Sequence, residues 1–204
     1  IEVFHLNIGQ PDIETPNLAL EAVRNYTEKV VKYSPSQGTL SYRKKLCEYY
    51  EKYNINISPD EIIITTGGSE ALLMTFLTIM DPDDEVIIPE PFYANYNGFA
   101  KNVGVNVKPI YSSIDTGFAL PDIAEFEKAI TPRTKAILIC NPNNPTGYLY
   151  SKEEMETLRQ IVLKYDIFLI SDEVYREFCY EDAKHYSAMK LEGIEDHVIL
   201  IDSA

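Results

Sequence analysis

This sequence of 204 residues contains no tryptophan, and it lacks the motifs of several common functional sites. Cys47, Cys140 and Cys179 form no CxxC pair, and the three histidines do not follow HExxH spacing, so no metal site is expected. We expect these cysteines to be reduced, mostly buried thiols of a cytoplasmic protein. Neither GxGxxG nor GxxxxGKS/T occurs, which removes the usual signatures of nucleotide-phosphate binding.

Long apolar runs and a positive charge surplus are missing too. The longest apolar run has five residues, far short of the ~20 that a membrane-spanning helix requires. Lys and Arg number 18 against 32 Asp and Glu, giving a net charge of −14. This balance argues against a nucleic-acid or membrane partner, which would need a basic surface. Since the chain starts at Ile1 without a leader-like stretch, we expect its first residues to be missing and no signal peptide.

From residue 60 onward, short apolar runs alternate with amphipathic stretches. The pattern predicts strands over 62–66, 85–88, 105–110, 136–140, 167–171 and 198–201, and helices over 69–80, 94–102, 121–130 and 151–165. Such alternation is typical of a three-layer α/β/α fold with a mostly parallel sheet. In the last helix, Ser151 and Glu154 form a capping box. Its predicted apolar face consists of Met155, Leu158, Ile161, Val162 and Tyr165.

The first 58 residues have a different pattern. Thr15 and Pro16 begin a predicted helix. Its apolar face would contain Ala19, Ala22, Val23, Tyr26 and Val30. The sequence YSPSQG at 33–38 predicts a loop, and a tyrosine-rich helix is expected over 42–53.

The residues that follow each predicted strand carry the candidate chemistry. In an open α/β sheet, ligands bind at the carboxyl ends of the strands. These ends read GGSE, EPFY, NPNNPTG, DEVY and DSA. GGSE suits a phosphate at a helix N-terminus, although an ordinary strand-to-helix turn fits it equally well. Asp172 alone could be a helix cap, whereas NPNNPTG constrains its backbone more than a surface loop requires.

Taken together, these motifs resemble the fold-type I pyridoxal-phosphate (PLP) aminotransferases, the aspartate aminotransferase superfamily of classes I and II. CNPNNPTG lies about thirty residues before SDEVY, with GGSEAL upstream and IDSA downstream. NIGQPD and KYSPSQGTLSYRKKL match the same family. The resemblance covers essentially the whole chain in the family's order and spacing.

The resemblance implies a role for three residues around the cofactor ring. Asp172 is similar to the aspartate that pairs with the pyridine nitrogen of PLP, where an anion keeps that nitrogen protonated. Tyr175 resembles the tyrosine that donates to the phenolic oxygen, and Asn144 resembles the asparagine that contacts the same oxygen. Tyr93 is found where the family has a ring stacked on the pyridine, although plain core packing is the alternative.

The resemblance also implies the contacts of the phosphate and of the substrate. The backbone amides of Gly68, Ser69 and Glu70 would hold the phosphate, with the hydroxyls of Ser69 and Ser203 as further donors. Tyr33 resembles the tyrosine that reaches the phosphate of the partner subunit in a homodimer, the alternative being an ordinary surface tyrosine. Gly9 matches a backbone site near the substrate α-carboxylate, and the resemblance implies that Tyr93 and Asn144 contact the substrate as well as the cofactor.

The same resemblance divides the chain into two parts. Residues 1–32 would belong to the small domain and a linking helix, and residues 33–204 to the PLP-binding large domain. The family continues with SxxK after the last strand, which predicts a Schiff-base lysine two residues beyond Ala204 and a truncation before the C-terminal small domain. The chain would then contain the cofactor's binding residues without its covalent attachment.

The activity implied is transfer of an amino group from an L-amino acid, aspartate being one candidate, to a 2-oxo acid by a ping-pong mechanism. A C–S β-lyase of the same fold type would use the same cofactor residues, so the sequence leaves it open. A PLP-sensing domain of a transcription regulator is a third interpretation, which the acidic composition disfavours.

Overall fold

The computed structural model describes Val3, Gly9, Pro11 and residues 13–203. Contacts divide the chain into a smaller N-terminal unit, residues 1–35, and a larger unit, residues 36–204. Most of the NIGQPD motif lies outside the described residues, as does Ala204.

The helix of the N-terminal unit is shorter than predicted. It spans Asn17–Arg24 (α1) and ends at Asn25, whose φ of −92° and ψ of 8° are not helical. Tyr26 and Val30, predicted for its apolar face, therefore lie beyond its end and are exposed. No residue of α1 is buried. Because packing of an apolar face supplies most helical stability, nothing in the described part of this unit favours a longer helix.

The described part of the larger unit contains five α-helices and five strands. The helices are α2 (Leu40–Glu51), α3 (Gly68–Ile79), α4 (Asn95–Asn102), α5 (Ile123–Ala129) and α6 (Lys152–Tyr165). The strands are β1 (Glu85–Glu90), β2 (Asn106–Tyr111), β3 (Thr134–Cys140), β4 (Phe168–Asp172) and β5 (Val198–Ile201). Short 3₁₀ turns cover Pro59–Glu61, Ile114–Thr116, Ala188–Lys190 and Glu195–His197.

The five strands form one sheet in the order β2-β1-β3-β4-β5, with every neighbouring pair parallel. Successive side chains of a strand point to opposite faces. Ile87 accordingly packs with side chains of α5 and α6, whereas Val86 and Ile88 pack with side chains of α3 and α4. The predicted three-layer α/β/α fold is confirmed, and both faces of the sheet are covered.

Helix α6 begins as predicted. The Ser151 hydroxyl accepts from the Glu154 N–H at 3.1 Å, and the Glu154 carboxylate accepts from the Ser151 N–H at 2.7 Å. This reciprocal pair satisfies two backbone donors that the first turn would otherwise leave free. The buried face of the helix consists of Met155, Leu158, Ile161 and Val162.

One predicted strand is absent from the sheet. Segment 62–66 is assigned to no strand: the Ile64 N–H donates to the Gln37 carbonyl at 3.1 Å, and the Ile63 side chain is 67% exposed. β-branched residues favour a pleated, half-buried surface. Within the described residues no neighbouring strand supplies that surface for 62–66.

The cysteines also differ in part from expectation. All three are free, but only Cys140 is buried, while Cys47 and Cys179 are half-buried. Cys140 is the last residue of β3, inside the sheet, whereas Cys47 belongs to the more exposed helix α2.

Candidate active site

A cleft of about 330 Å³ lies at the carboxyl ends of the strands. Seven of the ten residues selected from the sequence line it, namely Gly68, Ser69, Tyr93, Asn144, Asp172, Tyr175 and Ser203. Segments that are 135 residues apart in the chain are thereby brought to one place, because parallel strands bring their carboxyl ends to the same edge. GGSE reaches this edge too, although segment 62–66, which leads into it, forms no strand.

Asp172 is the buried anion of the cleft. It is the last residue of β4 and is 5% exposed. Its carboxylate accepts from the Tyr96 hydroxyl at 2.7 Å and from the Val174 N–H at 3.3 Å. Burial raises the pKa of Asp172, and these two donors only partly oppose the effect. No lysine or arginine within the described residues forms an ion pair with it.

The N-terminus of α3 lines the cleft as well. Gly67 precedes the helix with φ of 81°, a conformation that side chains disfavour. A Cβ on Gly68 would lie 3.6 Å from Val174, in ordinary van der Waals contact. The first N–H groups of a helix have no acceptor within it, and the helix dipole adds partial positive charge. This end of the cleft is therefore suited to an anion.

Glu70, in the first turn of α3, is not among the cleft-lining residues. Its carboxylate turns back and accepts from the Thr66 N–H at 2.5 Å. The predicted phosphate contact of Glu70 uses its backbone amide. Its side chain has a separate role, since it stabilises the turn that leads into the helix.

Two tyrosines border the cleft, three residues apart. Tyr93 precedes α4 and meets Tyr96 edge to face, with ring centroids 5.5 Å apart. The Tyr96 ring is fully buried and its hydroxyl reaches Asp172, whereas the Tyr93 hydroxyl accepts from Asn95 at 2.7 Å on the exposed side. Tyr93 thus offers its ring to the cleft, whereas Tyr96 fixes the orientation of the Asp172 carboxylate.

The NPNNPTG loop carries Asn144 on a backbone held by its own side chains. The Asn143 amide donates to the Pro91 carbonyl at 3.0 Å and to the Thr146 hydroxyl at 2.8 Å. The Gly147 N–H donates back to the Asn143 carbonyl at 2.8 Å. These bonds leave Asn144 half-buried at the cleft.

Tyr175 and Ser203 complete the set of predicted residues in the cleft. Tyr175 follows β4, is 39% exposed and meets Phe178 edge to face. Ser203 follows β5, and its N–H donates to the Asp202 carboxylate at 2.8 Å. Both side chains lie at the open side of the cleft rather than in its interior.

Gly9 and Tyr33 belong to the N-terminal unit, where both are exposed. The cleft also contains residues that we did not select from the sequence: Leu72, Tyr96, Cys140 and Val174. Tyr96 lies three residues after Tyr93, but its contact with Asp172, 76 residues away in the chain, has no signal in the sequence. Cys140 aligns with Asp172 in the sheet register, and that pairing becomes visible only in the fold.

The Cys140 thiol is a weak nucleophile in this environment. Burial, followed by the charge of Asp172, raises its pKa to about 12. A protonated thiol is a weak nucleophile, so we assign no covalent chemistry to it.

No group of three His, Cys, Asp or Glu side chains within the described residues is arranged to hold a metal ion. None of the helices in the same part of the chain is both long and apolar enough to cross a bilayer.

Comparisons with known proteins find similar sequences over nearly the whole chain. A family model described as aminotransferase class I and II matches residues 1–203. The aspartate/prephenate aminotransferase of Thermus thermophilus is 35% identical over 206 residues, which cover 100% of this chain and 52% of that protein. The aspartate aminotransferase of Pyrococcus horikoshii is 39% identical over 191 residues, 93% of this chain and 49% of that protein. The chain spans about half the length of these relatives.

Solved structures share the fold. The aspartate aminotransferase of Thermus thermophilus with maleate has a TM-score of 0.89 at 35% identity, covering 98% of this chain and 52% of that one. The N-succinyldiaminopimelate aminotransferase of Mycobacterium tuberculosis has a TM-score of 0.89 at 29% identity, covering 98% and 53%. With a matched family model and a cleft of this composition, the chain belongs to the class I and II aminotransferases, fold-type I enzymes that depend on pyridoxal 5'-phosphate.

Proposed function

We propose that this chain is the cofactor-binding part of an aminotransferase that moves an amino group from an L-amino acid to a 2-oxo acid by a ping-pong mechanism. The observation that carries the proposal is Asp172, a buried carboxylate without a cationic partner among the described residues, in a cleft that also contains a helix N-terminus. A ligand with a cationic ring nitrogen and a phosphate matches this pair of charges. When bound, PLP supplies a ring that accepts the electron pair left at the substrate Cα.

Asp172 would hold the proton on the ring nitrogen. A buried carboxylate favours a nearby positive charge strongly, because little water competes for it. Tyr175 and Asn144 would contact the phenolic oxygen and favour its ionised form, since hydrogen bonds to a charged form stabilise that form. Tyr93 would stack on the ring.

The phosphate would lie against the first turn of α3. The amides of Gly68, Ser69 and Glu70 are donors of the kind that anions use at helix N-termini. The hydroxyls of Ser69 and Ser203 would add two neutral donors. Glu70 contributes its backbone only, because its carboxylate is occupied by the Thr66 N–H.

Three parts of the proposal concern the complete protein. We propose a homodimer in which Tyr33 serves the phosphate of the partner subunit, with Gly9 near the substrate α-carboxylate. A lysine two residues beyond Ala204 would attach the cofactor and remove the Cα proton. A cytoplasmic location is part of the same proposal, as for an enzyme of amino-acid metabolism.

Aspartate as donor and 2-oxoglutarate as acceptor are the first substrates to test. The printed names of similar proteins include aspartate, aspartate/prephenate and aromatic aminotransferases. The site residues of this chain contact the cofactor, so they do not discriminate among these donors.

Stopped-flow spectroscopy of the complete protein tests the reaction class. Mixed with amino acids one at a time, the holoenzyme should convert its cofactor to the amino form, and a 2-oxo acid should restore it. Release of ammonia and pyruvate from a cysteine conjugate, without such a cycle, would indicate the C–S lyase instead.

Hybrid dimers test the role of Tyr33. A Tyr33→Phe subunit is paired with an Asp172→Ala subunit by differential tagging. If Tyr33 acts across the interface, the hybrid has one intact site and one doubly damaged site, and retains about half of the wild-type activity. If Tyr33 acts within its own subunit, both sites are damaged and that fraction is lost.

A further inference from the structure

Glu173 and His185 contain the two buried side-chain atoms that lack a hydrogen-bond partner in the described part of the chain. Glu173 is fully buried, and the His185 side chain is 7% exposed. Their unpartnered atoms, Glu173 Oε2 and His185 Nε2, lie 3.4 Å apart. Neither residue lines the cleft. Buried polar atoms are rarely left unpaired, so this juxtaposition calls for a physical explanation.

The other carboxylate oxygen of Glu173 is fully used. Oε1 accepts from the Ser171 hydroxyl at 3.0 Å, the Ser187 hydroxyl at 3.1 Å and the Ala188 N–H at 2.9 Å. Three donors on one oxygen fix the orientation of the carboxyl group and direct Oε2 at His185.

An ionised Glu173 and a neutral His185 do not explain the contact between Oε2 and Nε2, because no proton would lie between the two atoms. An ionised carboxylate offers only lone pairs, and a neutral imidazole has one N–H and one lone pair. His185 Nε2 has no hydrogen-bond partner, and the backbone of Asn141 raises the pKa of His185, which is the effect of a carbonyl that accepts from the other ring nitrogen. Nε2 would then face Oε2 with a lone pair on each atom. In a buried site this repulsion is not screened by water.

The charge environment decides where the missing proton resides. Burial raises the pKa of Glu173 to about 7 and, in the opposite direction, burial lowers that of His185 to about 4. Arg176, a buried cation, lowers both, and Lys190 adds to the effect on His185. Burial, the largest cause for each group, favours a neutral acid beside a neutral ring over an ion pair, and for Glu173 it outweighs the opposing effect of Arg176.

We propose that Glu173 and His185 share a single proton, the carboxylic acid donating to the imidazole, and that the pair acts as positioning residues for the candidate active site. This bond ties the segment around 185–188 to the carboxyl ends of β3 and β4. Its effect on the cofactor rests on the function proposed for Asp172 and Asn144.

The connections to the cleft are short. Glu173 follows Asp172 directly in the chain. The Asn141 N–H donates to the Asp172 carbonyl at 2.8 Å, and the Asn141 side chain donates to the Tyr186 carbonyl at 3.4 Å. Asn141 also begins the loop that carries Asn144. Loss of the shared proton would therefore shift both Asp172 and the loop that carries Asn144. It would do so without removing any group that contacts the cofactor.

Nitrogen-15 NMR of the histidine side chains tests the protonation state directly in the complete protein, with His185→Gln as the assignment control. We expect His185 to be neutral at pH 6 to 7. A doubly protonated ring at these pH values would show an ion pair and overturn the proposal. This measurement does not depend on cofactor binding, so it remains decisive if the proposed function fails.

Two substitutions test the positioning role through PLP affinity, measured by fluorescence titration of the apoprotein. Glu173→Gln keeps an acceptor oxygen and offers an N–H to His185, as the acid does, so affinity should stay within about threefold. Glu173→Ala removes both and should weaken PLP binding about tenfold, the equivalent of one lost buried hydrogen bond. Equal affinity of the alanine variant and wild type would remove the positioning role, as would an equal loss in both variants. If the alanine variant does not fold, failure of Glu173→Gln to retain affinity still contradicts the proposal.

Discussion

Two buried carboxylates at opposite ends of the sheet differ in whether a cation lies beside them. Glu85 begins β1 and is 2% exposed, and Asp172 ends β4 and is 5% exposed. Glu85 pairs with Lys108 at 3.3 Å and with Arg133 at 3.8 Å, while Asp172 receives only a hydroxyl and a backbone N–H. The protein thus neutralises one anion and leaves the other without a countercharge among the described residues.

The pKa shifts of the two groups follow the same division. For Glu85, burial would raise the pKa, but hydrogen bonds from Thr131 and Lys108 and the nearby cations outweigh it, and the pKa is lowered. For Asp172, burial prevails and the pKa is raised. A balanced buried anion contributes to the fold, whereas an unbalanced one is retained at a cost and so indicates a functional site.

The largest expected effect comes from removing the unbalanced anion. Asp172→Ala in the complete protein should still fold, but it should lose roughly a thousandfold in transamination rate, or about 4 kcal/mol, because the ring nitrogen is no longer held protonated. Stopped-flow half-reactions measure the rate, and thermal melting checks the fold. A rate within tenfold of wild type would contradict the role assigned to Asp172.

Removing the balanced anion should have the opposite profile. Glu85→Ala leaves the Thr131 hydroxyl without its acceptor, while the half-exposed Lys108 is solvated by water, and should lower the free energy of unfolding by about 2 kcal/mol. PLP affinity should not change, since Glu85 lies at the other end of the sheet. Urea denaturation and cofactor titration provide the two measurements.

The control for Glu85 is Glu125→Ala, which breaks an exposed pair with Lys128 on α5. Exposed pairs contribute about 0–1 kcal/mol, so this variant should be close to wild type in both measurements. If the two variants were equally stable, the comparison between the two ends of the sheet would lose its basis.

A smaller effect is expected from the hydroxyl that holds Asp172. Tyr96→Phe removes this donor and should weaken PLP binding about tenfold, since the carboxylate loses its fixed orientation. Tyr93→Phe is the matched control: it retains the ring and deletes only an exposed contact with Asn95, so it should bind PLP within about twofold of wild type. Fluorescence titration compares them, and equal affinities would show that Tyr96 does not orient Asp172.

The smallest effect is expected at the start of α6, away from both carboxylates, and it provides a reference for the loss of one helix cap. Ser151→Ala removes the cap of α6 and should lower the free energy of unfolding by about 1 kcal/mol without altering PLP affinity. Ser151→Asp keeps an acceptor for the Glu154 N–H and should restore most of that stability. Urea denaturation of both variants measures the difference, and a stable alanine variant would mean that the capping box contributes little.

Local patterns predicted the sheet and its helices well, because apolar periodicity reports burial directly. They failed where burial is missing. Segment 62–66 has strand-like residues but no neighbouring strand within the described residues, and the helix after Pro16 ends at Arg24 with no buried residue on its apolar side. Both segments are apolar, as the pattern indicates. The described chain does not contain the packing partners that the prediction requires for them.

The candidate site was predictable in part. Asp172 and Asn144 belong to motifs with a fixed order along the chain, and both line the cleft. Tyr96 and the Glu173–His185 pair were not selected, because their significance depends on contacts between residues far apart in the sequence. A tyrosine or histidine on an apolar face carries no local sign of the carboxylate that it will meet.

The sequence by itself determined the class of fold, the capping of α6 and the polar residues that end the strands, since these depend on neighbours within a few positions. Only the tertiary structure decided which buried carboxylate would be neutralised. Lys108, Arg133 and Thr131 lie 23 to 48 residues from Glu85 and reach it through the pairing of three strands and their adjoining loops. The charge balance of a buried group depends on its neighbours in space, and these neighbours are determined by the tertiary structure.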